Sequence, residues 1–370
     1  MGLGPRSTTR GERAVTIGGS VLLFLLALGW GWSFTHVSRA SAAEVPNRGL
    51  AGAAVASMAS ALTTTSAPSA AYVTGAALDA ITAHLLATAR GASGKLEAVI
   101  ESSPRPITPD SAPQGDSIVY RQGTTVSAAP RGAGVWNVLL QIGGALRPVA
   151  NLNVITMLPF SAKASGHVGG YFLGDWPSEH GAKGPAKAPA GEYANPAGFI
   201  EVTQQNRGVH VSEHFVLGDF LPHDQPTVWP KYIVLQSKLV DKLELVLADL
   251  QAHGVDPRGV HVMSGFRSPQ YNYTGGNTVG RANLSRHMFG DASDIYIDDD
   301  GDGQMDDLNH DGRISIADAG VIGAAVDRVE AAHPELVGGY GLYTAASGHG
   351  PFIHIDTRGY KARWTGTSGG

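Results

Sequence analysis

The segment Ser285-Arg286-His287-Met288-Phe289-Gly290-Asp291-Ala292-Ser293-Asp294 restricts this 370-residue chain more than any other stretch. His287 and Asp294 stand seven residues apart. They can meet on one metal ion if a tight turn feeds a strand between them; Gly290 permits the turn, and Ala292 lets the backbone pass close by. The run Phe352-Ile353-His354-Ile355-Asp356 reads as a strand and offers His354 as third ligand. Two histidines and one carboxylate suit zinc and leave a fourth position open for water, as hydrolysis requires. The bland alternative is a pair of hydrogen-bonded core histidines. Cysteine is absent, so thiolate ligands and disulfides are excluded.

The surrounding pattern is that of a packed domain. Leu239, Leu243, Val246, Leu247 and Leu250 recur at helical spacing and predict a helix over about 235–253, ended by Gly254. Val260-His261-Val262-Met263-Ser264-Gly265 and Asp294-Ile295-Tyr296-Ile297 read as strands, and Ala317 to His333 as a second helix. Upstream, Val211-Ser212-Glu213-His214-Phe215 has a capping-box character, with Ser212 as N-cap. Helices and strands are segregated rather than alternating, which predicts the α+β class: a small antiparallel sheet with packed helices, preceded by a small β module.

These residues carry a resemblance. Ser-x-His-x-x-Gly-x-Ala-x-Asp followed by His-x-Asp resembles the zinc D-alanyl-D-alanine carboxypeptidases and related murein endopeptidases, whose fold is shared with the hedgehog signalling domain. Ser264-Gly265-Phe266-Arg267-Ser268-Pro269 resembles that family's Ser-Gly-Tyr-Arg-Ser-Pro segment, and Val211 to Phe220 resembles its opening helix. The resemblance covers roughly Val209 to Trp364. It implies that His287, Asp294 and His354 bind zinc, that Arg267 pairs with a substrate carboxylate, and that Ser285 contacts substrate near the metal. A guanidinium fork suits the carboxylate. The sequence departs from the family at Pro351, where many members carry an Asp or Glu as general base. His349 is the nearest replacement for handling a proton or an oxyanion; Asp356 is the runner-up, better suited to orienting a ligand.

An acidic insertion over 298–318 matches the spacing of calcium loops. Asp307, Asn309, Asp311, Ser315 and Asp318 fall at positions 1, 3, 5, 9 and 12, with Gly312 at 6 and the carbonyl of Arg313 at 7, resembling a dockerin-type loop. An overlapping loop of Asp298, Asp300, Asp302, Gln304 and Asp306 reuses Asn309 at its last position. So many carboxylates repel without a cation. Calcium on the second loop, and less firmly on the first, would stiffen the strand that carries Asp294.

The N-terminal part reads differently. Arg6, Arg10 and Arg13 precede an apolar run from Ala14 to Trp32, so residues 1–43 read as an export signal, cleaved near Ala40-Ser41-Ala42 or retained as an anchor in the inner membrane. Residues 44–131, rich in Ala, Ser, Thr, Gly and Pro, read as a tether with one helix from Leu78 to Ile100. Residues 132–206 read as the β module, with strands at 135–140, 149–155, 171–174 and 199–203. Its Trp176 and Tyr193 are packing aromatics or a glycan or partner contact. Residues 207–366 read as the zinc peptidase domain that the resemblance implies. The net charge of -5, without clustered Lys and Arg, argues against a nucleic-acid partner.

Together these features predict an exported zinc peptidase of the periplasm or cell envelope, acting on peptidoglycan stem peptides or cross-links. The alternatives are a non-catalytic hedgehog-like domain that binds zinc and calcium and acts through protein or wall partners, and a peptidase for non-wall peptides.

Overall fold

The computed structural model describes residues 89–366 except 90, 96, 107–116, 180–192, 276–277, 279–280 and 347. The expected export signal and residues 44–88 lie outside them. No helix among the described residues is long and apolar enough to cross a membrane.

Strands β1 (Val99–Glu101), β2 (Ser117–Gln122), β3 (Thr125–Ser127), β4 (Gly134–Ile142) and β5 (Ala145–Thr156) form one sheet in the order β1-β5-β4-β2-β3. Only β1 and β5 run parallel. Gly143 and Gly144, both at positive φ, make the two-residue turn between β4 and β5. Tyr120, Trp136, Val138, Leu140, Leu152 and Val154 form this sheet's own core. The tether reading therefore fails for 99–101 and 117–127, and the last two residues of the expected helix, Val99 and Ile100, lie in β1. The boundary at 131/132 falls inside a sheet. Short strands in Ser- and Thr-rich sequence carry little apolar mass alone; their partners β4 and β5 supply it.

A second sheet crosses the other expected boundary. It contains β6 (Leu158–Pro159), β9 (Gly198–Val202) and β10 (Lys231–Ile233) in the order β10-β9-β6, while β7 (His167–Val168) pairs with β8 (Tyr171–Phe172). Because β10 lies beyond residue 206, the expected β module and the expected zinc domain share a sheet and one core. Trp176 is fully buried, and Tyr193 packs half-buried against Phe289 with ring centroids 5.5 Å apart. Both are packing aromatics.

The remaining elements build the candidate site. They are α1 (Ser237–Ala252), β11 (Val260–Ser264), α2 (Pro269–Thr274), β12 (Ala292–Ile297), α3 (Ile316–Ala332), β13 (Gly339–Tyr343), β14 (Phe352–Asp356) and β15 (Ala362–Gly366). The sheet order is β11-β12-β14-β13-β15, antiparallel except for the β13–β15 pair. Ile295, Ile297, Ile353 and Ile355 share a core with Leu243, Leu247, Ile322 and Val326 of α1 and α3. Each such side chain contributes about 1.5–3 kcal/mol by leaving water. The class is α+β, with several small sheets and few helices. Strand alternation then sends Asp294 and His354 to the face opposite these helices.

The opening helix is absent. Val211 and Ser212 donate backbone N–H groups to Phe215, and only a single 3-10 turn forms, Leu217–Phe220. Its first turn is capped by Asp219, which accepts from the Val216 N–H at 2.7 Å. Ser212 caps nothing, and Pro222 keeps the turn from lengthening.

Candidate metal centre

His287 sits on a 3-10 turn, Arg286–Phe289, closed by Gly290 at φ +68°. A Cβ at Gly290 would lie 2.4 Å from the Val234 carbonyl, so both the conformation and the close approach require glycine. A buried Arg286–Asp291 ion pair staples the turn. From the other side, the Trp176 indole N–H donates to the Met288 carbonyl at 2.8 Å. Asp294 and His354 need no such scaffolding, because they are direct cross-strand partners on β12 and β14.

These elements bring three ligand atoms together. His354 Nδ1 lies 2.9 Å and His287 Nε2 3.2 Å from Asp294 Oδ1, and the two nitrogens are 3.1 Å apart. The edges of a tetrahedron of zinc ligands are about 3.3 Å, given bonds of about 2.0–2.2 Å. The triangle thus needs only slight expansion. The outer ring nitrogens are both held: His287 Nδ1 donates to the Gly265 carbonyl at 2.6 Å, and His354 Nε2 to Asp356 Oδ2 at 3.1 Å. Those acceptors fix the tautomers and aim both inner lone pairs at Asp294 Oδ1. Three acceptors facing one another repel unless a cation or a shared proton lies between them, so the donor set fits a divalent metal.

The electrostatics agree with the geometry. Burial opposes a charge on His354, but hydrogen bonds to Asp294 and Asp356 outweigh it and push the imidazole up to about 9. Burial, reinforced by Arg267, pulls His287 below its ordinary value. Against burial, the two histidines hold Asp294 far below the usual carboxylate range. The raised His354 and the lowered Asp294 both mark a cluster whose centre favours positive charge.

Arg267 points into the same site. Its Nη2 donates to Ser264 Oγ at 3.1 Å and lies 3.7 Å from Asp294 Oδ2. Its Nε is buried with no acceptor among the described residues, which leaves donor capacity for an added anion. Ser285, buried, heads the turn that carries His287 without capping it. Asp356 stands behind His354, where it also accepts from the Gly339 N–H at 2.7 Å and pairs with Arg358. That is an orienting position.

His349 is placed elsewhere. Its Nδ1 contacts the Gly350 carbonyl at 2.7 Å, and its ring lies 5.2 Å from that of Phe352. It lines a cavity of about 110 Å³ with Met263, Tyr296, Gln304, Met305 and Pro351. The group that closes to within 4.8 Å comprises His287, Asp294 and His354 and leaves His349 outside.

Tyr343 and Trp364 escaped the sequence reading. Cross-strand register puts Gly341 beside His354 and Trp364 beside Gly341. A Cβ on Gly341 would come within 2.2 Å of the Trp364 indole nitrogen, so glycine lets this ring lie across β13 to reach 5.3 Å from the His354 ring. Trp364 in turn donates to the Tyr343 hydroxyl at 2.9 Å. The alternation Gly339, Gly341, Tyr343 was the available signal: a strand face stripped of side chains so that another ring can cover it.

In the acidic insertion, Asp298, Asp300 and Asp306 of the first loop bring carboxylate oxygens within 4.8 Å of one another. Asp298 also accepts from the N–H groups of Gly301, Asp302 and Gly303, and Asp302 from that of Gln304. In the second loop Asp307 accepts from Asp311 and Gly312, and Asn309 from Asp311. Asp311 accepts from the N–H of Arg313. Asp318 uses both oxygens on the N–H groups of Asn309 and Ser315 and caps α3. No group of three carboxylates closes to within 4.8 Å there among the described residues. A third cluster, Glu213, His214 and Glu244, is internally paired: His214 bonds Glu244 at 2.7 Å and Lys95 pairs with Glu213.

No protein-family model, curated protein or solved structure matches this chain.

Proposed function

We propose that this protein is an exported zinc peptidase, with a hedgehog-type catalytic domain, that hydrolyses peptidoglycan stem peptides or their cross-links. The observation that carries the reading is the convergence of His287 Nε2, His354 Nδ1 and Asp294 Oδ1 with both outer nitrogens already engaged. When bound, zinc supplies Lewis-acid polarisation of the scissile carbonyl and an acidified water. Arg267, with its free Nε, holds the peptide's carboxylate and sets which bond lies over the metal. Ser285 contacts the substrate beside it. Asp356 keeps the proton on His354 Nε2 and so holds the ring in its binding orientation. His349, which lines the neighbouring cavity outside the metal cluster, is proposed to receive a proton or stabilise the oxyanion.

Calcium, on the first loop in particular, is proposed as a structural ion. The apolar anchors Met305 and Leu308 tie that loop to the main core, and its first ligand, Asp298, directly follows β12. The export segment delivers the domain to the periplasm or cell envelope, free or anchored.

A second reading is favoured by one observation. With Pro351 in place of an acid and His349 outside the metal cluster, the residues present would equally serve a zinc- and calcium-stabilised domain that binds a wall or protein partner without cleaving it. The test is digestion of purified sacculi by the zinc-loaded full chain, with released muropeptides analysed by mass. New products that vanish in His287→Ala establish the peptidase and name the bond. Zinc at one equivalent with no products selects the binding domain.

A further inference from the structure

The Tyr343 hydroxyl is oriented but not used. It accepts from the Trp364 indole N–H at 2.9 Å, and among the described residues no group accepts its own proton. Its ring is clamped: it stacks on Phe352 with centroids 4.6 Å apart and planes 2° from parallel, and on the other side Gly366 lacks the Cβ that would come within 2.4 Å of it. Tyr343 pairs with Phe352 two residues along the same strands from the Gly341–His354 pair, so it shares the metal face. The Trp364 that holds its oxygen also packs against the His354 ring.

Geometry places the hydroxyl beside the metal face: the Trp364 indole that holds it at 2.9 Å has its ring 5.3 Å from that of His354. Burial pushes the phenol's pKa up, against the hydrogen bond from Trp364. Above its ordinary value, the phenol stays a proton donor throughout the neutral range.

We infer that Tyr343 is a catalytic residue whose hydroxyl donates a hydrogen bond to the scissile carbonyl oxygen as charge develops there. This rests on the peptidase reading above. As water adds to the carbonyl carbon, the C=O π pair moves onto oxygen, and the phenol stabilises that charge without surrendering its proton. The oxyanion pair then re-forms the C=O bond as the C–N bond breaks; the C–N electrons stay on nitrogen, and the proton released by the water passes to the departing amine. A donor that Trp364 holds in place requires no reorganisation at that moment, which is what makes such a group effective. It does not replace the base missing at Pro351, but oxyanion stabilisation no longer depends on His349 alone.

The test compares zinc-loaded wild type with Tyr343→Phe, which keeps the ring stack and removes only the hydroxyl. Expected are a fall in kcat of about 100-fold, a KM within about twofold and an unchanged zinc content. By calorimetry, a phosphinate pseudo-dipeptide of two D-alanines should bind the variant about 100-fold more weakly, while an uncleavable ground-state dipeptide binds equally. Equal kcat and equal phosphinate affinity overturn the role of Tyr343 and leave the peptidase standing. A zinc-loaded wild type inactive on sacculi overturns both. Should Tyr343→Phe not fold, 3,5-difluorotyrosine at 343 replaces it: the more acidic phenol should shift the alkaline limb of kcat to lower pH, and an unmoved limb overturns the proposal.

Discussion

The indole N–H of Trp176 donates to the carbonyl of Met288 across 112 residues of sequence, at 2.8 Å, with Trp176 wholly buried. A residue of the expected β module thus holds the turn on which His287 sits. Trp176→Phe should lower stability by about 1–3 kcal/mol through the orphaned buried carbonyl and weaken zinc binding. Residues 207–366 expressed alone should fail to fold. Chemical denaturation and zinc titration check the first, and one-dimensional NMR of the fragment the second.

Asp356→Asn is expected to lower zinc affinity about 10–100-fold with little loss of helix content. The amide cannot reproduce a carboxylate that accepts together from His354, Gly339 and Arg358, so the His354 ring loses its fixed orientation. Competition with a chromophoric chelator measures it.

Lys242 is fully buried on α1 and donates to Glu330 and to the backbone carbonyl of Asp356, each at 2.7 Å. Lys242→Ala leaves Glu330 short of its buried partner and frees the strand end behind His354. A loss of about 3–5 kcal/mol in urea unfolding is expected.

Glu97 has a buried oxygen without a partner among the described residues, and burial, with Asp241 and Glu244 nearby, pushes its pKa from 4.5 up to about 8. The folded chain therefore keeps a proton that the unfolded chain releases. Its stabilising contribution is whole below about pH 4.5 and declines as pH rises to about 8, above which it is gone. Glu97→Gln should remove that slope and exceed wild type at pH 9 by about 2–4 kcal/mol. Melting temperatures from pH 5 to 9 decide it; parallel profiles sink the assignment.

Calcium should raise the melting temperature of the zinc-loaded protein, by about 2.7 kcal/mol of stability at a hundredfold excess over Kd. Asp300→Ala should abolish the effect, and Asp311→Ala should reduce it far less, since the carboxylates gather in the first loop. Scanning calorimetry with calcium and with magnesium separates a specific site from general screening.

Much of the α+β core was legible because its signals are local. The helix predicted over 235–253 is observed as Ser237–Ala252, and the strand over Phe352 to Asp356 keeps those bounds. The opening helix at Ser212 failed because a capping pattern says nothing of the Val211–Phe215 turn, which tertiary packing favours. The tether failed because β1, β2 and β3 borrow their apolar mass from β4 and β5.

By itself the sequence determined which residues have the chemistry to hold a metal, since ligand type and the Gly290 turn are properties of a few adjacent residues. It also determined the strand alternation that turns Asp294 and His354 away from the helices. The tertiary structure alone decided that Asp356 orients His354, that Trp176 braces the His287 turn, that His349 stands apart and that Tyr343 faces the site. Those relationships depend on strand register and on side chains brought together from distant parts of the chain, and no local pattern encodes a distance between residues that only folding makes neighbours.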